Sequence, residues 1–211
     1  MSGRNMKRLT ADINKFHNDP PHGIFLDYDD KNLIEIHALI IGPKGTPYEG
    51  GFFYFKMDLP ADYPHSPPKV TFKTTGNGTV RFNPNLYQCG KVCLSILGTW
   101  SGPGWTPIMS ISTVLISIQS LLNEEPYYNE PGYENSKNQT QSDAYNQNVR
   151  MNTMIHAVEG MLDKHTVMPN KLYLIAKQYF QDNYSTYKET CQKFSYLRSA
   201  IKRLESLRSR L

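Results

Sequence analysis

Arg81-Phe82-Asn83-Pro84-Asn85-Leu86-Tyr87-Gln88-Cys89-Gly90-Lys91-Val92-Cys93-Leu94-Ser95-Ile96-Leu97 lies within residues 77–106, a segment with little periodicity and many turn residues, among them Gly78, Pro84, Gly90, Gly98, Gly102, Pro103 and Gly104. An irregular stretch of this length inside a compact domain is usually functional. Periodic segments frame it. Upstream, Met6, Leu9, Ile13 and Phe16 recur at helical spacing until Asp19-Pro20-Pro21-His22-Gly23 stops the pattern, which predicts an N-terminal amphipathic helix. Ile34, Ile36, Ala38 and Ile40 alternate with Glu35, His37 and Leu39; Phe53, Phe55, Met57 and Leu59 alternate with Tyr54, Lys56 and Asp58. Both runs predict half-buried strands, joined across the Gly- and Pro-rich residues 42–51, and a third strand is expected over 69–74. Downstream, Thr106 as N-cap and Pro107 as first helical residue would open a helix whose Ile111, Val114, Leu115, Ile118, Leu121 and Leu122 form a broad apolar stripe. Helical patterns over about 141–163, 170–182 and 185–210 complete an α+β order.

With 211 residues, 39% of them hydrophobic, the chain can bury a full core, read as a core domain over 1–140 and a helical part over 141–211 that packs on it. The net charge of +4 is too small to imply nucleic-acid binding. Three cysteines, Cys89, Cys93 and Cys191, suit a reducing compartment better than a disulfide framework. The first twenty residues hold Arg4, Lys7, Arg8, Asp12 and Lys15 and no signal-peptide hydrophobic core, and no stretch reaches the roughly 18 apolar residues of a membrane span. A cytoplasmic setting, with the nucleus as a second, is expected, and the sequons at Asn77, Asn138 and Asn183 are expected to be unglycosylated. Tyr133 to Ser142, rich in Asn, Gln, Ser and Thr, is expected to be a mobile surface loop. Phe194, Leu197, Ile201, Leu204 and Leu211 form a seam with most cations outside it; it is expected to pack back on the domain, with a partner helix or an acidic surface as the alternatives.

Motifs along the first two thirds resemble the ubiquitin-conjugating enzyme family. That family carries a His-Pro-Asn signature whose Asn stands eight residues before a catalytic cysteine followed by Leu; here Asn85 stands eight before Cys93, and Leu94 follows. Gly42-Pro43, Pro47-Tyr48-Glu49-Gly50-Gly51, Tyr63-Pro64-His65-Ser66-Pro67-Pro68-Lys69 and Trp105-Thr106-Pro107 resemble its other signatures in the same order. Within the family the fullest likeness is to the Z-type members, which share Phe82-Asn83-Pro84-Asn85, Gly90 through Trp100 and Asn129-Glu130-Pro131-Gly132. The resemblance implies the ubiquitin-conjugating fold: N-terminal helix, four-stranded antiparallel meander, central helix and, here, a helical C-terminal extension. It also implies that Cys93 carries ubiquitin, or a ubiquitin-like modifier, as a thioester. The partners implied are that modifier, an activating enzyme, a ubiquitin ligase and a protein substrate, with neither nucleic acid nor membrane. Met6, Lys7 and Arg8, the Pro64-His65 loop and Thr106-Pro107-Ile108 match the surface offered to ligases and partly to the activating enzyme. Z-type likeness further implies a preference for the less common ubiquitin-activating enzyme.

The chemistry also stands on the residues. A thiol with an ordinary pKa of about 8.5 is a few per cent thiolate at neutral pH, yet sulfur is nucleophilic and its thioester stays reactive toward amines. Attack on that thioester makes an oxyanion, to which the Asn85 amide could donate; alternatively Asn85 holds its own loop. Glu130 could orient, desolvate or deprotonate an incoming lysine, or be a solvated loop carboxylate. Cys89 reads as structural or incidental, because no second ligand pair accompanies it and His17, His22, His37, His65, His156 and His165 are scattered; no metal or organic cofactor is expected. No P-loop or dinucleotide fingerprint is present. Two departures from the family are notable: its signature His is Asn83, and an insertion spans Trp100 to Trp105. A noncatalytic modifier-binding scaffold on the same fold is the alternative function, and a basic-helix binder of polyanions a more distant one.

Overall fold

The structure is a computed structural model that describes residues 3–136, 138–163 and 168–211. Helix α1 (Gly3–Asn18) leads into strands β1 (Ile24–Asp29), β2 (Asn32–Ile41), β3 (Phe52–Asp58) and β4 (Lys69–Phe72), an antiparallel meander in that order. Helix α2 (Ile111–Leu121) follows the irregular segment, and α3 (Gln139–Asn152), a π-helical stretch (Thr153–Glu159), α4 (Gly160–Asp163), α5 (Asn170–Asp182), α6 (Tyr184–Lys193) and α7 (Arg198–Arg210) complete the chain. His165, among the scattered histidines, lies outside the described residues.

Side chains alternate between the two faces of a strand, and both faces of this sheet are covered. Ile36, Ala38 and Ile40 of β2, with Phe53, Phe55 and Met57 of β3, face a core completed by Leu9, Ile13 and Phe16 of α1 and Ile111, Val114, Leu115 and Ile118 of α2. Their neighbours Leu39, Ile41, Phe52 and Tyr54 face a second core built from Leu172, Ala176 and Phe180 of α5, Tyr187 and Cys191 of α6, and Ala200, Leu204 and Leu207 of α7. The halves of β2 and β3 next to their connection, residues 38–41 and 52–55, are therefore buried on both sides rather than half-buried. Leu39 and Tyr54 stand opposite each other in the ladder; the Tyr54 hydroxyl is bonded to His37 Nδ1 at 2.9 Å, and burial pushes that phenol up to about 12. The polar partners of the alternation, Glu35 and His37 opposite Asp58 and Lys56, lie in the other halves of the two strands.

Several boundaries differ from the sequence expectation. β1 gave no alternation clear enough to read, yet it pairs with β2 from Ile24↔Ile40 to Tyr28↔Ile36. The strand expected over 69–74 ends at Phe72, because Thr74 turns its hydroxyl inward to accept from Tyr54 N–H (2.9 Å) and donate to Phe52 C=O (3.0 Å). Helix α2 starts later than Thr106-Pro107: Ser110 is the N-cap, forming a capping box with Thr113. Residues 106–109 form a separate turn whose Pro107 and Met109 carbonyls accept from Arg8 at 2.7 and 2.8 Å. The expected loop from 133 to 142 is cut short by α3, whose Asn138 cap accepts from Gln141 N–H at 3.2 Å.

The run expected over 185–210 breaks at Phe194, whose backbone is extended (φ −104°, ψ 111°) and whose ring lies under the Arg150 guanidinium at 4.5 Å. The break resets the helical phase, so the buried seam is Leu197, Ala200, Leu204 and Leu207, with Phe194, Ile201 and Leu211 only partly covered. Most of the cations that lie outside it have partners: Arg203 with Glu159 (2.8 Å), Arg210 with Asp163 (2.6 Å) and Arg208 over the Tyr184 ring (4.2 Å). The segment packs back on the domain. Leu204 is 2% exposed, so Leu204→Ala is expected to lower the unfolding free energy by about 2–5 kcal/mol, against at most about 0.5 kcal/mol for the exposed Lys202→Ala. Denaturant unfolding checks this; equal effects would mean that α7 is undocked in solution.

Candidate active site

The irregular segment is anchored in the first core by Phe82, edge-on to Phe53 (5.2 Å between centroids) and Phe72 (6.1 Å). Asn83, fully buried, satisfies its amide completely: Nδ2 donates to Tyr48 Oη (3.0 Å) and Leu121 C=O (2.8 Å), and Oδ1 accepts from Asn85 N–H (2.9 Å). Tyr48 Oη in turn donates to Phe82 C=O at 2.8 Å, and burial pushes its phenol well up. At the position of the family's signature His, it is thus the Asn83 amide that shapes the loop. Beyond the turn, Leu86 bridges Val92, and Gly90 accepts from Phe72 N–H at 2.8 Å. Only glycine suits position 90: its φ is +89°, and a Cβ there would lie 2.8 Å from Phe72 O.

This pairing lays Cys93 alongside Asn85. Cys93 N–H donates to Asn85 C=O at 2.9 Å, and Asn85 Nδ2 donates to Cys93 C=O at 2.9 Å. On the far side Thr99, a residue the sequence reading did not single out, accepts from Leu94 N–H at 3.0 Å and donates to Val92 C=O at 2.6 Å. Cys93 is 1% exposed, Cys89 is exposed, and Cys191 is buried in the second core, where burial pushes its thiol up. A groove of about 410 Å³ lined by Pro67, Val70, Cys89, Lys91, Leu97 and Thr99 runs beside this segment. A larger cavity, about 1600 Å³, lies instead between the β2–β3 connection, the end of α2 and α5, and includes none of the candidate catalytic residues. Among the described residues no group of three or more His, Cys, Asp and Glu side chains is placed to hold a metal ion.

The family model described as ubiquitin-conjugating enzyme matches residues 8–154. The chain belongs to the ubiquitin-conjugating enzyme family. It is similar to Ubiquitin-conjugating enzyme E2 Z of Danio rerio, 49% identical over 190 residues that cover 90% of this chain and 58% of the relative. The human protein of that name is 49% identical over 185 residues, 88% of this chain and 52% of the relative. The human Dual E2 ubiquitin-conjugating enzyme/E3 ubiquitin-protein ligase BIRC6 is 50% identical over 140 residues, 62% of this chain and 3% of its own length. The chain therefore spans little more than half the length of the E2 Z relatives.

The other positions suggested by the ubiquitin-conjugating resemblance fall into two places. Glu130 follows a 3₁₀ turn (Pro126–Asn129) and pairs with Arg81 at 3.2 Å; Arg81 also donates to Pro84 C=O at 2.6 Å and lies over the Tyr87 ring at 4.4 Å. Arg81 thereby ties Glu130 to the Pro84–Asn85 turn. Both members of the ion pair are more than a third exposed, so its direct contribution to stability is small. Neighbouring Tyr145 is partly buried, and desolvation pushes its phenol up to about 12, with Arg81 pulling it down and Glu130 pushing it up. The second place is a continuous surface. Arg8 reaches the Pro107 and Met109 carbonyls, and Trp105 Nε1 donates to Pro64 C=O at 2.7 Å, so Met6, Lys7, Arg8, Pro64, His65, Thr106, Pro107 and Ile108 come together. Ile108 is 88% exposed, Lys7 and His65 are exposed, and Pro64 is buried beneath them.

Two outcomes follow from these placements. Tyr48→Phe leaves the Phe82 carbonyl and one Asn83 N–H buried and unpaired, and is expected to lower stability by about 1–3 kcal/mol in equilibrium unfolding. Maleimide labelling of the folded protein followed by peptide mass spectrometry is expected to modify Cys89 readily and Cys191 only after denaturation.

Proposed function

We propose that Cys93 accepts ubiquitin, or a ubiquitin-like modifier, from an activating enzyme as a thioester and passes it to a substrate lysine or to a ligase cysteine. The observation that carries this reading is the two-sided hold of Asn85 on the Cys93 backbone. Both backbone N–H groups nearest the thiol are engaged, Cys93 N–H with Asn85 and Leu94 N–H with Thr99, so neither is available to a developing oxyanion. The Asn85 amide uses one of its two hydrogens on Cys93 C=O and has no second acceptor among the described residues, which leaves one donor beside the reacting carbon. Holding and donating are thus compatible roles of one side chain.

In the transfer to lysine, the amine nitrogen attacks the thioester carbonyl carbon and a tetrahedral oxyanion forms. The C–N bond is retained, the C–S bond breaks, the Cys93 thiolate leaves, and the amine proton passes to solvent or a carboxylate. Sulfur is the better leaving group, so no metal or organic cofactor is required; the nucleotide is consumed by the activating enzyme. Glu130, fixed by Arg81, is the carboxylate we assign to orienting the incoming lysine. The surface from Met6 to Ile108 is the one we assign to activating enzyme and ligase, with the bare Ile108 side chain as its apolar anchor. An uncapped thiol as nucleophile and an exposed Cys89 both suit a reducing setting, which supports the cytoplasm and nucleus as the place of action. Scaffolds without activity would not require the nucleophile, so Cys93 weighs against that alternative; the paired cations of α7 weigh against a polyanion binder.

A charging reaction with activating enzyme, ATP and ubiquitin tests the proposal. Wild type is expected to form a thiol-sensitive adduct, Cys93→Ala none, and Cys93→Ser a reductant-resistant ester. Asn85→Ala is expected to charge but to discharge to free lysine about 10²–10³-fold more slowly, as for loss of one oxyanion donor. No adduct on wild type with any activating enzyme would favour the scaffold.

A further inference from the structure

We propose that Thr99 is a positioning residue for transfer from Cys93, acting through the backbone on either side of it; the inference rests on the carrier function proposed above. Leu94 is extended, at φ −141° and ψ 139°, and Val92, on the other side of Cys93, bridges antiparallel to Leu86. In extended backbone, alternate residues present their polar groups to opposite edges. Cys93 N–H and C=O face one edge, where the backbone and side chain of Asn85 take both. Val92 C=O and Leu94 N–H face the other edge. There a single hydroxyl, Thr99 Oγ1, takes both, donating over 2.6 Å and accepting over 3.0 Å. Thr99 Oγ1 also lies 3.2 Å from Leu94 C=O, and Thr99 N–H donates to that carbonyl at 3.3 Å. Thr99 therefore does for one edge what a neighbouring strand would do, and the nucleophile is fixed between two side chains.

Local folding explains how a residue six positions downstream returns to this edge. Residues Ser95–Leu97 form one 3₁₀ turn, closed by Leu97 N–H to Leu94 C=O (3.1 Å) and Gly98 N–H to Ser95 C=O (2.9 Å). Gly98 has a φ of +67°, a left-handed conformation that reverses the chain and sets Thr99 against 92–94.

Two effects on transfer follow. First, Cys93 Sγ keeps a fixed relation to the Asn85 amide only while both edges are held, and acyl transfer is sensitive to misplacement on the scale of an ångström. Second, the N–H after a nucleophile is a common oxyanion donor, and Thr99 withholds it here, so stabilisation falls to Asn85. A hydroxyl is what this role needs: Ser supplies it, and Val keeps the shape without it.

The test compares Thr99→Val and Thr99→Ser with wild type in single-turnover discharge of the pre-charged thioester to free lysine over a range of lysine concentrations. Thr99→Val is expected to lose at least about tenfold in maximal rate, with the half-saturating lysine concentration unchanged, and Thr99→Ser to stay within about twofold of wild type. In the double variant with Asn85→Ala, the loss is expected to fall short of the product of the single losses, since both act on one geometry. Amide exchange of the uncharged protein gives a second readout: Leu94 N–H is expected to exchange faster in Thr99→Val and not in Thr99→Ser. Wild-type discharge rates in Thr99→Val, or an equal fall in Ser and Val, overturn the inference while leaving the carrier function standing. Should Thr99→Val prove too unstable to assay, unaltered Leu94 exchange in Thr99→Ala overturns it. Failure of wild type to charge at all overturns both.

Discussion

The amide of Asn83 is the interaction on which the candidate site depends. It is fully buried, and its three bonds reach three separate parts of the chain: the Tyr48 hydroxyl after β2, the Leu121 carbonyl at the end of α2, and the Asn85 N–H. An unpaired amide at this depth would be costly, so the three partners hold each other to one arrangement. Everything after Asn85 inherits that placement. The Asn85 backbone and side chain then fix Cys93, and the short pairing of Leu86 with Val92 carries the register between them. Conformational order is thus conducted from the aromatic core, through one side chain, to the thiol.

A second constraint comes from the far side of the sheet. Helices α5 to α7 bury Leu39, Ile41, Phe52 and Tyr54, and α6 sends Tyr187 to donate to Gly50 C=O at 2.6 Å while Thr153 donates to Pro47 C=O at 3.2 Å. Those two bonds grip the Pro47–Gly51 segment from which Tyr48 projects toward Asn83. The C-terminal helices and the nucleophile loop are therefore linked through the β2–β3 connection, although they lie on opposite faces of the sheet. Glycine is required at 51, where a Cβ would meet the Thr153 methyl and the Phe53 ring at 2.7 Å. Close packing of this kind transmits displacement rather than absorbing it.

What could be read from the sequence follows how local the determining physics was. The periods of α1, β2, β3 and α2, and the eight-residue interval from Asn85 to Cys93, are local patterns and were legible. β1 was not, because six residues with charges at Asp27 and Asp29 carry too short a pattern, and pairing with β2 decides their conformation. Nor were the ends of elements. Thr106-Pro107 has the local chemistry of a helix start, but Arg8, about a hundred residues away, claims the carbonyls of that turn. The burial of Leu39 and Tyr54 depended on helices more than a hundred residues downstream. Thr99 was hidden for a related reason: its role exists only after the 3₁₀ turn folds it back.

The contrast between the two nearby cysteines bears on selectivity. If exposure alone decided which thiol is acylated, Cys89 would be charged and Cys93, almost fully covered, would not. Under the proposed carrier function, an activating enzyme would present the modifier to a particular backbone geometry rather than to the more accessible sulfur. Cys89 sits in the turn Tyr87–Gly90, whose closure uses Gly90 N–H to Tyr87 C=O, and among the described residues no side-chain amide is hydrogen-bonded to its backbone as Asn85 is to that of Cys93. An oxyanion formed at Cys89 would rely on water for its hydrogen bonds, whereas one formed at Cys93 has a donor already in place, with its reorganisation completed during folding. On that proposal, selection between two thiols four residues apart is made by the transition state and not by access, and the hydrogen-bonded frame around Cys93 is what would make it.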